Sequence, residues 1–318
     1  MPVNSDRPDR WKADIARSVD LYNDWFMRFA PKAYRNTRAT TTTRVRQALA
    51  CMANLASISP VVLFENPWTL PILRMVTAPP IARDRLIGLA GVSGGLVRSM
   101  ELCRRVSPQM DESQVMVHLQ RITELIKRLI DKDLFPWLEI GGQPSDEEAY
   151  RAATIVADRL CGAEADPIIR NAQEDRQLTA IETWLEARGY RKADQGLTFE
   201  TIQPGTFAFR LIVPVRLEGN GKQVNIPVDA VVMPLVAKLG DLPLLIEAKS
   251  AGDYTNTNKR RKEEATKVIQ LRSTYGERIR FVLFLCGYFD SGYLGYEAAE
   301  GIDWVWEHRI DDLTQFGV

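Results

Sequence analysis

The sequence predicts an α/β protein in which a helical N-terminal domain precedes a mixed β-sheet core flanked by helices. Three observations predict this fold class. Apolar residues recur at helical spacing through residues 8–165, β-branched and aromatic residues dominate short segments after residue 166, and a charged helix interrupts those segments. We therefore expect a helical domain over residues 1–165 and an α/β domain over residues 166–318.

The N-terminal half has the apolar periodicity of packed helices. Ile15 and Val19 begin one such series, and Val115 and Leu119 belong to another. Prolines divide the series, and the first of them, Pro31, predicts a loop between two helices. This half of the chain therefore reads as a set of helices joined by short connections.

The C-terminal half begins with a predicted helix over residues 168–188 and continues with five predicted strands. These strands cover residues 207–217, 224–233, 242–248, 280–286 and 302–306. A glycine-rich turn at 219–221 joins the first two strands into a hairpin, and a charged helix over 259–275 separates the third strand from the fourth. This order predicts an antiparallel hairpin region followed by a helical crossover.

The composition excludes several classes of protein. The chain has 318 residues, with 41 Lys and Arg against 41 Asp and Glu, and 45% hydrophobic residues. These values exclude a disordered chain, and the apolar runs are too short for a signal peptide or a membrane span, so we expect a cytoplasmic protein with no membrane partner. Four cysteines without a CxxC pair and two histidines also exclude zinc fingers and His-metal nuclease motifs.

Charge is strongly segregated although the net charge is zero. Residues 28–105 contain 12 basic and three acidic side chains, and residues 249–280 contain nine basic and four acidic ones. Two basic regions on a neutral protein suggest a polyanion that is contacted in two places. The alternative is that both regions are ordinary solvated surfaces.

Three charged residues interrupt the predicted apolar strands. Asp229 lies in the second strand, and Glu247 and Lys249 lie two residues apart at the end of the third, so the last two share one face. Buried carboxylates and an ammonium group are costly unless they bind something, and a hard divalent cation suits carboxylate oxygens. The alternative is a salt-bridged pair of strands.

These residues resemble the PD-(D/E)xK nuclease signature, with Val228 before the aspartate and Pro227 one position earlier. The wider stretches at 21–26 (Leu-Tyr-Asn-Asp-Trp-Phe), 245–253 (Leu-Ile-Glu-Ala-Lys-Ser-Ala-Gly-Asp) and 302–309 (Ile-Asp-Trp-Val-Trp-Glu-His-Arg) resemble the XamI family of type II restriction endonucleases. The resemblance covers most of the chain. It implies a PD-(D/E)xK-type core in the second domain.

The resemblance also implies an activity and a set of site residues. The activity is Mg²⁺-dependent cleavage of both strands of DNA at a short palindromic site, by a homodimer whose site is protected by a cognate DNA methyltransferase. Asp229, Glu247 and the carbonyl group of Ala248 would ligate the metal, and Lys249 would orient the attacking water. The superfamily often adds an acidic residue from the helix before the sheet, and we favour Glu174 over Asp175.

The two basic regions then become candidates for contact with double-stranded DNA. The residues in question combine cationic and amide groups, which suit phosphate contact and base reading. They are Arg35, Arg38, Arg44 and Arg46 in a loop or helix entry, and Asn256, Asn258, Lys259, Arg260, Arg261 and Lys262 after the lysine strand. Cations at the start of a helix are unfavourable because that end of the helix dipole is positive, and a nearby anion such as a phosphate would offset the repulsion.

Two other functions remain open at this point. The same site could serve a repair or junction-resolving nuclease, which would select DNA structure in place of sequence. A non-enzymatic DNA-binding protein could use Asp229, Glu247 and Lys249 as a structural ion-pair cluster.

Overall fold

A computed structural model describes residues 2–194, 196–216, 223–238, 240–255 and 257–318, and for residues 258–262 it describes the backbone alone. It confirms the predicted fold class, an α/β protein with a helical N-terminal region and a mixed six-stranded sheet. Two compact units are present: Met1–Phe29 with Ile169–Val318, and Ala30–Ile168. The domain boundary between residues 165 and 166 stays a prediction.

Ten α-helices lie in the described part of the chain. They are α1 Pro8–Cys51, α2 Pro60–Glu65, α3 Leu70–Met75, α4 Arg83–Ala90, α5 Gly94–Cys103, α6 Glu112–Leu129, α7 Trp137–Ile140, α8 Asp146–Glu186, α9 Thr257–Tyr275 and α10 Ser291–Ala299. Two 3₁₀ helices, Pro67–Thr69 and Glu307–Phe316, complete the helical elements. None of these helices combines the length and the apolar character that a membrane span requires.

The six strands form one sheet in their sequence order. They are β1 Arg191–Lys192, β2 Thr206–Arg216, β3 Gln223–Val232, β4 Leu244–Ala251, β5 Arg280–Gly287 and β6 Asp303–Trp306. The β2–β3 and β3–β4 pairs are antiparallel, whereas the β1–β2, β4–β5 and β5–β6 pairs are parallel. Helix α9 supplies the connection between the parallel strands β4 and β5, as a parallel pair requires. The predicted turn at 219–221 lies outside the described residues.

Helices cover both faces of the sheet. On one face, Leu178, Ile181 and Leu185 of α8 pack with Ile246 of β4 and Phe284 of β5. The opposite face contacts α9 and α10 through buried residues of both helices: Leu271 packs with Leu245, and Val268, Tyr293 and Leu294 pack with Leu283 and Leu285. Strand β4 is therefore buried on both faces, which explains its nearly continuous apolar run.

The unit formed by Ala30–Ile168 has its own apolar core. Amphipathic helices supply that core, as the helical spacing of the sequence predicts; buried examples are Leu63, Leu96, Leu119 and Val156. The buried carboxylate of Glu101 forms ion pairs with Arg74 and Arg83 in the same unit. This unit is therefore folded around apolar packing and contains a buried ionic cluster.

Two local predictions in α1 are wrong. Pro31 does not end a helix, because α1 runs without interruption from Pro8 to Cys51. A proline removes one main-chain hydrogen bond but fits a helix whose neighbouring turns remain bonded. Residues 35–46 are likewise helical and not a loop or helix entry. Their threonines are accommodated because the hydroxyl groups of Thr37 and Thr42 donate to the carbonyl groups of Ala33 and Arg38.

Candidate active site

The site lies where strands β3 and β4 stop pairing. Their ladder ends at the pair Ala230↔Ile246, so Asp229 and Glu247 come directly after the last pair. The ladder between β2 and β3 is also interrupted here, since its register passes from Phe209↔Ala230 to Leu211↔Val228. The strands therefore separate at the point where the polar side chains lie.

Arg210 occupies the interruption in the β2–β3 ladder with an unusual backbone conformation. Its φ of 52° lies in the left-handed region, which is uncommon for a residue other than glycine and carries a cost in conformational energy. Its guanidinium group contacts the carboxylates of Glu174 and Asp175, at 2.9 and 2.7 Å. These contacts hold the kinked residue beside helix α8.

Asp229 caps the main chain of the neighbouring strand. Its Oδ2 atom accepts a hydrogen bond of 2.8 Å from the amide group of Ala248, a residue that pairs with β5 but lies beyond the end of the β3–β4 ladder. Burial and, after it, the negative charge of Glu247 raise the pKa of Asp229 to about 6, whereas the bond from Ala248 opposes the shift. The ionised form of this aspartate is therefore unfavourable unless a positive charge lies nearby.

Glu247 and Lys249 lie on one face of β4, as their spacing predicts. The Lys249 ammonium nitrogen is 3.3 Å from Glu247 Oε1. Two residues of α9 complete the cluster: Glu264 Oε1 is 2.6 Å from the Lys249 nitrogen, and the Lys267 ammonium group donates to Glu247 Oε1 at 2.6 Å. Two carboxylates and two ammonium groups thus alternate across the contact between β4 and α9.

The Lys249 side chain is held in its charged form. Burial lowers the pKa of Lys249, but the charges of Glu247 and Glu264 outweigh that effect and raise the pKa above its ordinary value. Its main chain is also anchored, because the Gln177 amide group of α8 donates to the carbonyl oxygens of Lys249 and Phe284 at 3.3 and 3.2 Å. Lys249 is therefore a fixed hydrogen-bond donor.

The oxygen atoms of the site suit a hard cation. Glu247 uses Oε1 for its lysine contacts, and its buried Oε2 atom has no hydrogen-bond partner among the described residues. Asp229 adds a second carboxylate whose ionisation a cation would favour. Two carboxylates and a main-chain carbonyl group are ligand types that Mg²⁺ accepts. The chemistry of this donor set fits a divalent cation.

Glu174 does not join the two carboxylates in a compact cluster. Among the described residues, no group of three or more His, Cys, Asp and Glu side chains is arranged to hold a metal ion. Glu174 accepts from the Nε and Nη2 atoms of Arg210 at 3.1 and 2.9 Å. Its negative charge still contributes to the raised pKa of Asp229. A metal-ligating role for Glu174 stays a prediction.

The first group of predicted DNA contacts lies on α1 within the Ala30–Ile168 unit. Arg38 forms an ion pair of 2.7 Å with Asp158, and Arg44 binds both oxygens of Glu164 at 2.7 and 2.8 Å. Arg35 donates to the carbonyl group of Pro31, and the Arg46 guanidinium group lies 5.6 Å from the centre of the Tyr150 ring. Their contact with DNA stays a prediction.

The second group follows strand β4. Asn256 lies outside the described residues. For the other five members the structure describes the backbone and not the side chains: Asn258, Lys259, Arg260, Arg261 and Lys262. The backbone places residues 258–262 in the first turns of α9, which begins at Thr257, two residues before the predicted start of the charged helix. Their role also stays a prediction.

Four residues of the site were missed from the sequence. Glu264 and Lys267 belong to a charged helix, and their spacing of three places both on one face, but the same is true of many exposed pairs. Gln177 and Arg210 gave no signal, because a glutamine in a helix and an arginine in a strand are unremarkable by sequence alone. Gln177 is distinguished by its burial and Arg210 by its contacts with helix α8, and neither can be read along the chain.

Comparison with known proteins gives consistent matches. The family model of the XamI restriction endonuclease matches residues 53–306. The type II restriction enzyme SalI of Streptomyces albus G is 55% identical over 317 residues, which cover 99% of both chains. The type II restriction enzyme XamI of Xanthomonas campestris pv. amaranthicola is 27% identical over 194 residues, which cover 61% of this chain and 62% of its own.

Proposed function

Because this chain belongs to the XamI restriction endonuclease family and is a type II restriction endonuclease, we propose that Asp229, Glu247 and Lys249 form its catalytic site. On this proposal, the enzyme hydrolyses phosphodiester bonds in both strands of double-stranded DNA at a short palindromic sequence, and Mg²⁺ is its cofactor. DNA as the substrate follows from the family, whereas the cofactor, the symmetry of the sequence and the residue roles are our inference.

The observation that carries the proposal is the open oxygen of Glu247. A buried carboxylate oxygen without a hydrogen-bond partner is costly in a protein core. The open oxygen of Glu247 lies in a cluster with a second carboxylate and a fixed lysine. Glu264 also has a buried oxygen, Oε2, without a partner among the described residues, so the open oxygen of Glu247 counts here because it lies in one cluster with Asp229 and Lys249. Its availability supports a site that is completed by a ligand.

The roles of the three residues follow from their chemistry. Asp229, Glu247 and the carbonyl group of Ala248 would hold the divalent cation. When bound, such a cation stabilises the negative charge that develops on the phosphate and makes water a better nucleophile. The Lys249 ammonium group, which its neighbours keep protonated, donates a hydrogen bond to the attacking water or to a phosphate oxygen and thereby orients the reacting atoms.

The wider assembly follows from the way palindromic sites are read. A two-fold symmetric sequence matches a homodimer in which each protomer cleaves one strand. The basic residues predicted from the sequence would contact the phosphates, with Arg38 and Arg44 exchanging their carboxylate partners for DNA. We also propose a cytoplasmic enzyme whose host sequences are protected by a cognate DNA methyltransferase that is not a physical partner.

The test is cleavage of a sequenced plasmid with Mg²⁺, followed by mapping of the ends. We expect a discrete set of fragments with identical sequence at each end. Lys249→Ala should lose cleavage by roughly 10²-fold or more while it still binds DNA with Ca²⁺ present. Lys238→Ala, which changes an exposed lysine of the same unit, serves as the matched control and should cleave normally.

Other outcomes would support the alternatives. Nicking that depends on DNA structure would indicate a repair or junction-resolving nuclease. Unchanged behaviour of Lys249→Ala toward DNA together with a lower melting temperature would indicate a structural ion-pair cluster in a DNA-binding protein.

A further inference from the structure

We propose that Glu264 of α9 is a positioning residue that holds the Lys249 ammonium group at the reacting site. This inference rests on the proposed function, since it assigns a role in the same site. It concerns a residue outside the three-residue signature, on a helix that the sequence marks only for its basic N-terminal turns.

The spacing of charges on α9 matches that on β4. Glu264 and Lys267 are three residues apart and share one helix face, about 5–6 Å from each other, whereas Glu247 and Lys249 are two apart on a strand, about 6.5–7 Å from each other. The contacts run crosswise: Glu264 meets Lys249, and Lys267 meets Glu247, each at 2.6 Å. Each of these charged side chains of β4 therefore faces an oppositely charged side chain of α9.

The distances identify Glu264 as the main partner of Lys249. The Lys249 nitrogen is 2.6 Å from Glu264 but 3.3 Å from Glu247. Lysine has a flexible four-carbon stem, so its ammonium group goes where the nearest carboxylate holds it. Without Glu264, Lys249 would be drawn toward Glu247 or toward solvent.

Burial makes this contact a strong constraint. The Glu264 side chain is 1% exposed, and that of Lys249 is 16% exposed. Among the residues that the structure describes, Lys249 is the one cationic group within 4.0 Å of the Glu264 carboxylate. A buried carboxylate with a single cationic partner keeps that partner in place, because separating the two would leave an uncompensated charge in the core.

The arrangement also protects the open oxygen of Glu247. Lys267 contacts Glu247 through Oε1, the same atom that faces Lys249, and Oε2 remains without a partner. If Glu264 lost its charge, the nearest remaining carboxylate for Lys249 would be Glu247. The lysine would then compete for the oxygen that the proposed cation requires. Glu264 therefore acts on both the donor and the ligand of the site.

The test compares Glu264→Gln with Glu263→Gln, its exposed neighbour on the same helix. We expect Glu264→Gln to lower kcat by roughly 10²-fold through misplacement of the donor, with KM and DNA affinity at saturating divalent cation within about threefold of the wild type. Glu264→Asp keeps the charge on a shorter side chain and should recover part of the loss. Glu263→Gln should behave as the wild type.

A crystal structure of Glu264→Gln provides a readout that does not depend on activity. We expect the Lys249 nitrogen to leave its present position and approach Glu247. An unmoved Lys249, or a kcat within about threefold of the wild type in a folded variant, would overturn the inference. A wild-type protein that fails to cut any DNA would instead overturn the proposed function, while the crystallographic result would still decide the position of Lys249.

A second pair of variants covers the case in which Glu264→Gln does not fold. Lys249→Met leaves Glu264 buried without its cation, and Lys249→Met combined with Glu264→Gln removes that charge. If the two residues are partners, the double variant should unfold at a higher temperature than Lys249→Met alone. An equal or lower melting temperature for the double variant would contradict the pairing.

Discussion

Two buried glutamates, one in each compact unit, are satisfied in different ways. Glu101 of α5 accepts from Arg74 through both oxygens, at 2.7 and 3.2 Å, and from Arg83 at 2.6 Å. Glu247 of β4 contacts two lysines through one oxygen, and its other oxygen has no partner among the described residues. The first carboxylate is fully bonded, whereas the second is not.

This difference in hydrogen bonding shows how a buried acid can serve either the fold or a functional site. A guanidinium group has a fork of donors that matches both oxygens of a carboxylate, so two arginines close the Glu101 site. An ammonium group is a compact charge, and two of them can neutralise one oxygen of Glu247 while the other stays accessible to a ligand. The choice of lysine over arginine therefore keeps the site open.

The largest expected effect separates the two acids by activity. Glu247→Gln keeps the size of the side chain but removes the charge that would bind the cation, so cleavage should fall by roughly 10²–10³-fold. Cleavage of plasmid DNA under single-turnover conditions measures this loss. If Glu101→Gln, assayed as folded protein, lost as much activity as Glu247→Gln, the functional distinction between the two acids would be wrong.

The next effect separates them by stability. Glu101→Gln leaves two guanidinium groups without their carboxylate in a site where the Glu101 side chain is 2% exposed, so the free energy of unfolding should fall by about 3–5 kcal/mol. Glu247→Gln should cost less, because Lys249 keeps Glu264 as its partner. Urea unfolding of both variants at pH 7 measures the difference. A larger loss for Glu247→Gln would contradict the comparison.

A third effect concerns the acid beside Glu247. Asp229 has a pKa of about 6 in the folded protein against 3.8 ordinarily, so the folded state binds the proton more tightly than the unfolded state does. Stability in EDTA should therefore fall as the pH rises from about 4 to about 6. Asp229→Asn should remove this fall and stabilise the protein above pH 6, by at most roughly 3 kcal/mol.

The control for this prediction is Asp194→Asn, which changes an exposed aspartate of the same unit and should keep the wild-type dependence on pH. Melting temperatures between pH 4 and pH 8 make the comparison. Asp229→Asn should also lose cleavage, since the amide group is a poor ligand for a divalent cation. A variant that is both active and unchanged in stability would remove Asp229 from the site.

The smallest expected effect on stability concerns an exposed ion pair. The side chains of Arg38 and Asp158 are 54% and 57% exposed, so Arg38→Ala should leave the free energy of unfolding almost unchanged. If Arg38 contacts a phosphate, the same variant should reduce the slope of log K against log salt concentration by about one unit. An unchanged slope would remove Arg38 from the DNA contacts.

The positions of the strands along the chain could be predicted because their signal is local. Runs of β-branched and aromatic residues marked the five long strands, and the spacing of Glu247 and Lys249 placed both on one face. The two-residue strand β1 was missed, since such a short segment has no period. The helix α1 was divided at Pro31 because the sequence does not reveal that the neighbouring turns remain bonded.

The partners of the site could not be predicted, because they depend on contacts between distant segments. Nothing in the sequence distinguishes Glu264 from its exposed neighbour Glu263, yet one is buried against Lys249 and the other faces solvent. Glu174 was favoured from its place on the helix, and its contact with Arg210 depends on a backbone conformation that sequence does not signal; its metal-ligating role stays a prediction. Both contacts depend on the folded chain and not on the order of residues along it.

The end of the β3–β4 ladder also determines where the length of this chain can vary. Side chains alternate between the two faces of a strand, so one residue added or lost between Ile246 and Lys249 would turn either charge toward the α8 face. A length change in the segment between Arg216 and Gln223 leaves that alternation intact. We expect insertion libraries to recover active clones from the second segment and none from the first.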